Sequence, residues 1–342
     1  MNAPAPGLAV SVRAADLAAE GPRIDAFVAE HPDGTIFHRP QWSRAVERGS
    51  GQRAHYLLAE RGGNLVGCLP LTLVRSRLFG NAAVSAGFAT GGGILGEGAE
   101  PLARAAWALD YPGAELRGGP IPEGWTASQG LYANFDRDLP ADGEALLASI
   151  PRRQRTEVRK AIGFGLQVSS GSDRRHRDAH LRVYSESLRN LGTPAFPRAL
   201  FDAALDEYGE EADIVVVWKD SRPLAALLNF YFKGAVQPYW GGGTYEARQW
   251  RANDLVYFEV MRRAIGRGCT RADFGRSKLG TGAWSRKRIW GFEETPLVYA
   301  VRGKSRDLNP LDPRHRLKIA AWQKLPLFLA NRIGPLVSRG IG

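Results

Sequence analysis

Twice along this chain a run of strand-forming residues arrives at three consecutive glycines, then gives way to a segment of helical spacing and a further strand. In the later copy, ADIVVVWKDSRPLAALLNFYFKGAVQPYWGGGT divides into three strands (Val215 to Trp218, LAALLNFYF and VQPYWGGG) joined by turns at KDSRP and KGA. NDLVYFEVMRRAIGRG then places Leu255, Phe258, Met261 and Ile265 at helical spacing, with Asn253 or Asp254 as cap and Gly268 as stop. CTRADFGRS is the next strand. The earlier copy, from Ala54, runs strand, turn at Gly62-Gly63, strand, loop, strand and the glycines of GFATGGGIL, followed by the short helix EPLARAAWALDYPG and the strand AELRGG. Identities are few, yet the order of elements and the place of the glycines agree. A β-β-β-GGG-α-β unit present twice predicts two similar α/β (α+β) domains. Glycine at a strand end admits backbone angles closed to other residues and lets a ligand approach the main chain. Free amides there, ahead of a helix, can hold an anion or a peptide backbone.

The chain of 342 residues is long enough for two cores, and 40 glycines suit a loop-rich α/β protein better than a helical bundle. Its formal charge of +11 is concentrated in PRRQRTEVRKAIGFG (151 to 165), GRSKLGTGAWSRKRIWGF (275 to 292) and the acid-free tail from Pro313 to Gly340. Such surfaces suit phosphorylated ligands, RNA or an anionic membrane. Cys68 and Cys269 lie far apart in apolar or mixed segments and are expected as buried, reduced thiols. The first residues lack a basic segment leading into an apolar core, so no signal peptide is expected. No run approaches the roughly eighteen apolar residues that span a bilayer. The expected location is cytoplasmic.

SLRNLGTPAF (187 to 196), PYWGGGT (238 to 244), DFGRSKLGTG (273 to 282), KRIWGFE (287 to 293) and LNPLDPRHRL (308 to 317) together resemble the FemAB-like proteins associated with the exosortase/PEP-CTERM system. The similarity runs from FHRPQW (37 to 42) into the tail. It implies two tandem GNAT-like (N-acyltransferase) domains, 1–150 and 151–303, the second carrying the FemAB-type motifs, with a basic amphipathic tail over 304–342. It also implies a setting in exopolysaccharide and cell-envelope assembly. Fem relatives transfer an aminoacyl group from tRNA to an amine of a peptidoglycan precursor. On their motif, Lys287 falls at the position of a lysine that steadies the transition state, while Arg286 departs from the aromatic residue usual before it.

Attack of an amine on an ester or thioester carbonyl builds charge on the oxygen, and one fixed donor there lowers the barrier by roughly 3 to 4 kcal/mol. Lys287 is the candidate donor, and Asp273, at a strand end, is the candidate acceptor of the amine's proton. Asp273 before a glycine turn has a structural reading as well. Arg276 and Lys278 flank the same loop and could grip a phosphate. Tyr239 and Trp240 could stack on a sugar or base, or pack in the core, beside Gly241, Gly242 and Gly243. Arg189 and Asn190 end a helix before Gly192; a place in the substrate cleft comes from the resemblance alone. Arg152, Arg153, Arg155, Arg159 and Lys160 make a basic helix suited to tRNA or another polyanion.

His176 and His180 have the spacing of a metal pair, but no glutamate follows His176 and no third ligand is evident, so no metal is expected. Walker, dinucleotide and Gly-x-Ser-x-Gly motifs are missing, and RSKLGTG has one residue too many for the usual acyl-CoA loop. The tail over 313–340 alternates basic residues with Trp322, Leu325, Leu327, Phe328 and Leu329, and either packs on the second domain or lies on the inner membrane face. The expectation is an acyl or aminoacyl transferase forming an amide on an amino-bearing glycan or peptide precursor. Its donor is aminoacyl-tRNA or acyl-CoA, with no tightly bound cofactor and no DNA partner. The rivals are an acyl-CoA-dependent N-acyltransferase and a non-catalytic module binding polysaccharide or sorting machinery.

Overall fold

The computed structural model of the chain describes residues 9–304 and 316–342. These fall into two compact units: 9–128, 298–304 and 340–342 in the first, 129–297 and 316–339 in the second.

The first unit opens with β1 (Ser11–Ala14), α1 (Leu17–Glu30), α2 (Pro40–Ser50), β2 (Arg53–Arg61), β3 (Asn64–Val74), β4 (Ala82–Ser85), β5 (Leu95–Gly96), α3 (Ala99–Trp107), β6 (Gly113–Arg117) and β7 (Thr126–Ser128). Asp16 starts α1 by accepting from the Ala18 and Ala19 amides. Gly51, in the left-handed region, closes α2. Leu102, Ala103 and Ala106 of α3 share one core with Leu57, Leu69 and Leu71 of the sheet.

The second unit follows with β8 (Tyr132–Asp138), α4 (Gly143–Ser149), α5 (Arg152–Gly163), β9 (Gln167–Gly171), α6 (Arg174–Leu191), α7 (Arg198–Tyr208), β10 (Ala212–Lys219), β11 (Arg222–Phe232), β12 (Ala235–Gly243), α8 (Ala252–Gly266), β13 (Arg271–Lys278), α9 (Gly282–Ile289) and β14 (Glu293–Pro296). The chain then returns to the first unit as β15 (Tyr299–Gly303), and ends in α10 (Arg316–Gln323) and α11 (Leu327–Ser338). Val215, Val217, Leu227 and Val236 of the sheet bury against Leu255, Phe258 and Met261 of α8 and Val158 of α5. This is the face that the helical spacing of α8 foretells.

The repeat is present in the pairing of the strands. One sheet runs β1-β2-β3-β4-β6-β15-β7, with β5 on β3; the other runs β9-β10-β11-β12-β13-β8-β14. Each has one parallel pair at its centre, β4 with β6 and β12 with β13, and antiparallel neighbours elsewhere. The sixth strand is the surprise. In the first sheet it is β15, which follows β14 of the second unit in the chain; in the second it is β8, from before α5. The expected boundary at 150 therefore falls inside the second unit, because β8 bonds to β13 and β14. The expected close of that unit at 303 fails likewise, because β15 bonds to β6 and β7.

Three further expectations change. The glycines at 91–93 end no strand; they lie in the loop between β4 and β5. Gly241, Gly242 and Gly243 do end β12, but none has a positive φ. They answer to volume: a Cβ on Gly241 would lie 2.2 Å from the Ala226 carbonyl oxygen, on Gly242 2.3 Å from Ser187 Oγ of α6, and on Gly243 2.2 Å from Asn253 Oδ1 of α8. The cap of α8 is Arg251, itself left-handed at φ 53°, while Asn253 and Asp254 sit within the first turn. The tail motif over 308–315, and the part of the tail at 305–315, lie outside the described residues.

Candidate active site

β12 and β13 pair only at Ala235 with Arg271 and Val236 with Ala272. Beyond that point β12 continues along β11 to Gly243, while β13 runs on along β8. Two parallel strands that part open a place between them that an extended ligand can enter. On β12 the register steps from Leu228 opposite Trp240 to Asn229 opposite Pro238, so Tyr239 is the extra residue of a bulge. Bulges re-aim a side chain and its amide at sites of this kind.

β13 carries the matching irregularity. Asp273 stands opposite Asp136, but Arg276 stands opposite Asn134, and Gly275 between them has φ 63°. Asp273 organises this turn. Its carboxylate accepts from the Gly275 amide (2.9 Å), Asn134 Nδ2 (3.0 Å) and Gln237 Nε2 (2.9 Å), tying β13 to both β8 and β12. Lys287, from α9, closes the turn from beneath. Its Nζ donates to the carbonyls of Phe274 (2.5 Å), Gly275 (3.0 Å) and Arg276 (3.2 Å), and lies 5.4 Å from the centre of the Phe135 ring. The side chain is 7% exposed. Burial pushes its ammonium down to about 7, with the Asp273 carboxylate opposing. Three donors on three carbonyls make Lys287 a brace for the site in this conformation, and Asp273 a second one.

Where α8 begins, a cavity of about 240 Å³ is lined by Ala247, Arg248, Arg251, Asn253, Asp254 and Arg286. The Asp254 and Leu255 amides bond to the Arg251 carbonyl, and helix geometry leaves the Ala252 and Asn253 amides without an intrahelical acceptor. Three guanidinium groups and a helix start favour an anion. Arg251 Nε is held 2.5 Å from Glu157 of α5, and Arg286 Nη1 3.3 Å from Asp254 Oδ1. Burial raises the Asp254 carboxyl above the ordinary carboxylate range, with Arg286 opposing. Arg248, Arg251, Asp254 and Arg286 were not singled out from the sequence as a group. The legible signal was EARQWRAND, arginines immediately ahead of a helix.

The remaining candidates scatter. α5 forms as expected and exposes Arg152, Arg153, Arg159 and Lys160; Lys160 pairs with Glu157, and Arg155 bonds to the Ala148 carbonyl. Through Glu157 this basic helix adjoins the cavity. Arg276 stacks on Tyr132 at 4.7 Å, and the Lys278 carbonyl accepts from Thr281 Oγ1 in the cap of α9. Trp240 is a core residue, edge-on to Phe201 and Phe230, and its carbonyl receives His180 Nε2 at 2.9 Å. Arg189 and Asn190 meet α10: Arg189 Nη1 donates to the Gln323 carbonyl, and Gln323 Nε2 to the Asn190 carbonyl. His176 Nδ1 lies 2.9 Å from Asp173. Among the described residues no cluster of metal-ligating side chains occurs.

Residues 150–284 match the family model described as an acetyltransferase (GNAT) domain. A comparison with curated protein sequences found no match. Among solved structures the chain is similar to FemX, at TM-score 0.63 and 15% identity, covering 85% of this chain and 96% of that one. It is also similar to a tandem GNAT protein from the clavulanic acid biosynthesis pathway, at TM-score 0.55 and 11% identity, covering 87% and 100%. The fold is thus mixed α/β with two GNAT-like domains, and its second unit carries a transferase domain of the N-acyltransferase kind.

Proposed function

We propose that this chain transfers an acyl or aminoacyl group from a phosphate-bearing carrier to an amine on a cell-envelope or exopolysaccharide precursor. The observations that carry the reading are the parting of β12 and β13 and the arginine-lined cavity at the start of α8, which meet where Gly243 at the end of β12 abuts the cavity-lining Asn253. A carrier whose phosphates sit at the cavity can lay its acyl arm between the parted strands, past the bulge at Tyr239. Bound this way, the carbonyl is held for attack, and positioning is among the largest contributions to such reactions.

In the step itself the acceptor nitrogen bonds to the carbonyl carbon and the carbon–sulfur or carbon–oxygen bond to the carrier breaks. The amine loses a proton, and the departing thiolate or alkoxide gains one. Asp273 and Lys287 act as positioning residues in this account. Together they fix the turn at 274–276, whose backbone borders the parted strands. The FemX likeness favours an aminoacyl donor and an amino-bearing envelope acceptor. The family match favours acyl-CoA, and this is the second reading. The exosortase setting belongs to the same proposal and rests on the motif resemblance alone.

A donor screen on the full chain tests both. Charged total tRNA and a panel of acyl-CoAs are offered in turn with amino sugars, following binding by calorimetry and transfer by mass spectrometry. Aminoacyl transfer that is lost with rising salt supports the first reading; acyl-CoA turnover supports the second. If neither donor binds at low salt, catalysis is abandoned for a binding module. The Arg248→Ala/Arg251→Ala variant is expected to bind the active donor about tenfold or more weakly while keeping its unfolding midpoint near that of the parent.

A further inference from the structure

The C-terminal helices carry a surface that the transfer reaction does not use. Along α11 the small residues Ala330, Gly334 and Ser338 form a buried stripe. A Cβ on Gly334 would come 3.1 Å from the Ala195 amide nitrogen, and Ser338 Oγ donates to the Ala195 carbonyl at 2.8 Å. α10 is seated by Ile319 against Gly192 and by Gln323 on Asn190. One side of each helix is therefore committed to α6 and the segment after it.

The other side is apolar and cationic at once. Phe328 is 70% exposed, Leu336 62% and Leu317 84%, with Ile333 beside them. At helical spacing Phe328, Arg332 and Leu336 fall within about 80° of one another. Arg316, Lys318 and Lys324 are exposed on and beside α10. From Arg316 to Gly342 the sequence holds five basic residues and no acidic one. A second copy of the chain would bring the same charge to the same face, so self-association there is opposed electrostatically. An anionic bilayer answers both features: acyl chains receive Phe328 and Leu336, and lipid phosphates meet the arginines and lysines. Among the described residues no helix is long and apolar enough to cross a membrane, so the helices would lie on it.

We propose that α10 and α11 form an interfacial surface that docks this protein on an anionic phospholipid bilayer. The inference stands apart from the transfer reaction and survives its failure. The test is co-sedimentation of the full chain with vesicles of phosphatidylcholine alone and of equal parts phosphatidylglycerol and phosphatidylcholine. The protein is expected on the phosphatidylglycerol vesicles and to be released by high salt. Phe328→Ser/Leu336→Ser, which alters only exposed positions, weakens binding by about tenfold or more. Lys318→Gln/Lys324→Gln/Arg332→Gln weakens it about a hundredfold. Circular-dichroism melts matching the parent show that each variant is folded. Equal sedimentation with both vesicle types, or none with either, overturns the proposal. So does a dimer in velocity sedimentation that the Phe328→Ser/Leu336→Ser variant converts to monomer without any change in vesicle binding.

Discussion

At the scale of single residues, the site turns on how a buried lysine spends its protons. Lys287 looked from the sequence like a donor aimed at substrate, yet its Nζ faces the Phe274, Gly275 and Arg276 carbonyls. Lys287→Met removes three donors from buried acceptors and is expected to cost about 2 to 4 kcal/mol of stability at neutral pH, read by urea unfolding. The pH dependence has a definite sign. The ordinary lysine value is 10.5 and burial lowers the folded one to about 7. Between those values the unfolded chain holds a proton that the folded chain has released, so raising the pH through this window favours folding. Below about 7 both states are protonated and the contribution is flat. The parent should therefore gain stability relative to Lys287→Met as the pH rises from about 7 to 10, and parallel curves would show that the folded ammonium keeps its ordinary affinity for the proton.

At the scale of elements, the glycine triplet of β12 shows what a sequence can disclose. That a strand ends in three glycines before a helix was legible, because turns, strand-formers and helical spacing are local signals. The reason for the glycines was not, because Ala226, Ser187 and Asn253, which would collide with added methyl groups, come from three other elements. The same limit hid the cavity at the start of α8, where Arg286 arrives from α9. It also left open the places of Trp240 and Arg189, whose partners on α7 and α10 are distant in sequence. The volume argument predicts unequal costs. Gly241→Ala meets a backbone carbonyl that cannot rotate aside, and should destabilise by about 3 kcal/mol or more. Gly242→Ala meets the Ser187 side chain, should cost about 1 to 2 kcal/mol, and should be partly rescued by Ser187→Gly. Urea midpoints of the parent, Gly241→Ala, Gly242→Ala, Ser187→Gly and Gly242→Ala/Ser187→Gly decide it; equal costs at the two glycines, or no coupling to Ser187, would return the triplet to backbone flexibility.

At the scale of the whole molecule, the repeat is one topology used in two ways. In the first unit the place between the central parallel strands is filled by the chain itself. The Gly93 amide donates to the Arg117 carbonyl, and the buried Arg117 guanidinium binds Glu115, the Ala89 carbonyl and the Gly342 carbonyl. One donor per chain is therefore expected by calorimetry, and two would mean that this loop opens. The strand order carries a stronger consequence. Among the described residues β7 pairs only with β15, and at the end of β7 Ser128 stands directly opposite Tyr299 at the start of β15. Topologically, everything from Gln129 to Val298 is an insertion at the turn of one β-hairpin. Local sequence patterns could not show this, since a strand's partner is fixed by pairing across the whole chain. It can be undone by design. Joining Ser128 to Tyr299 through a two-residue Asn-Gly turn, the kind that suits such hairpins, should give a first unit that unfolds cooperatively in urea. The segment 9–128 alone leaves β6 with β4 but without β15, and β7 without the strand it pairs with, and should show no such transition. Cooperative folding of that segment would mean that the exchanged strand is dispensable, and failure of the joined chain that the second unit is needed for the first to fold.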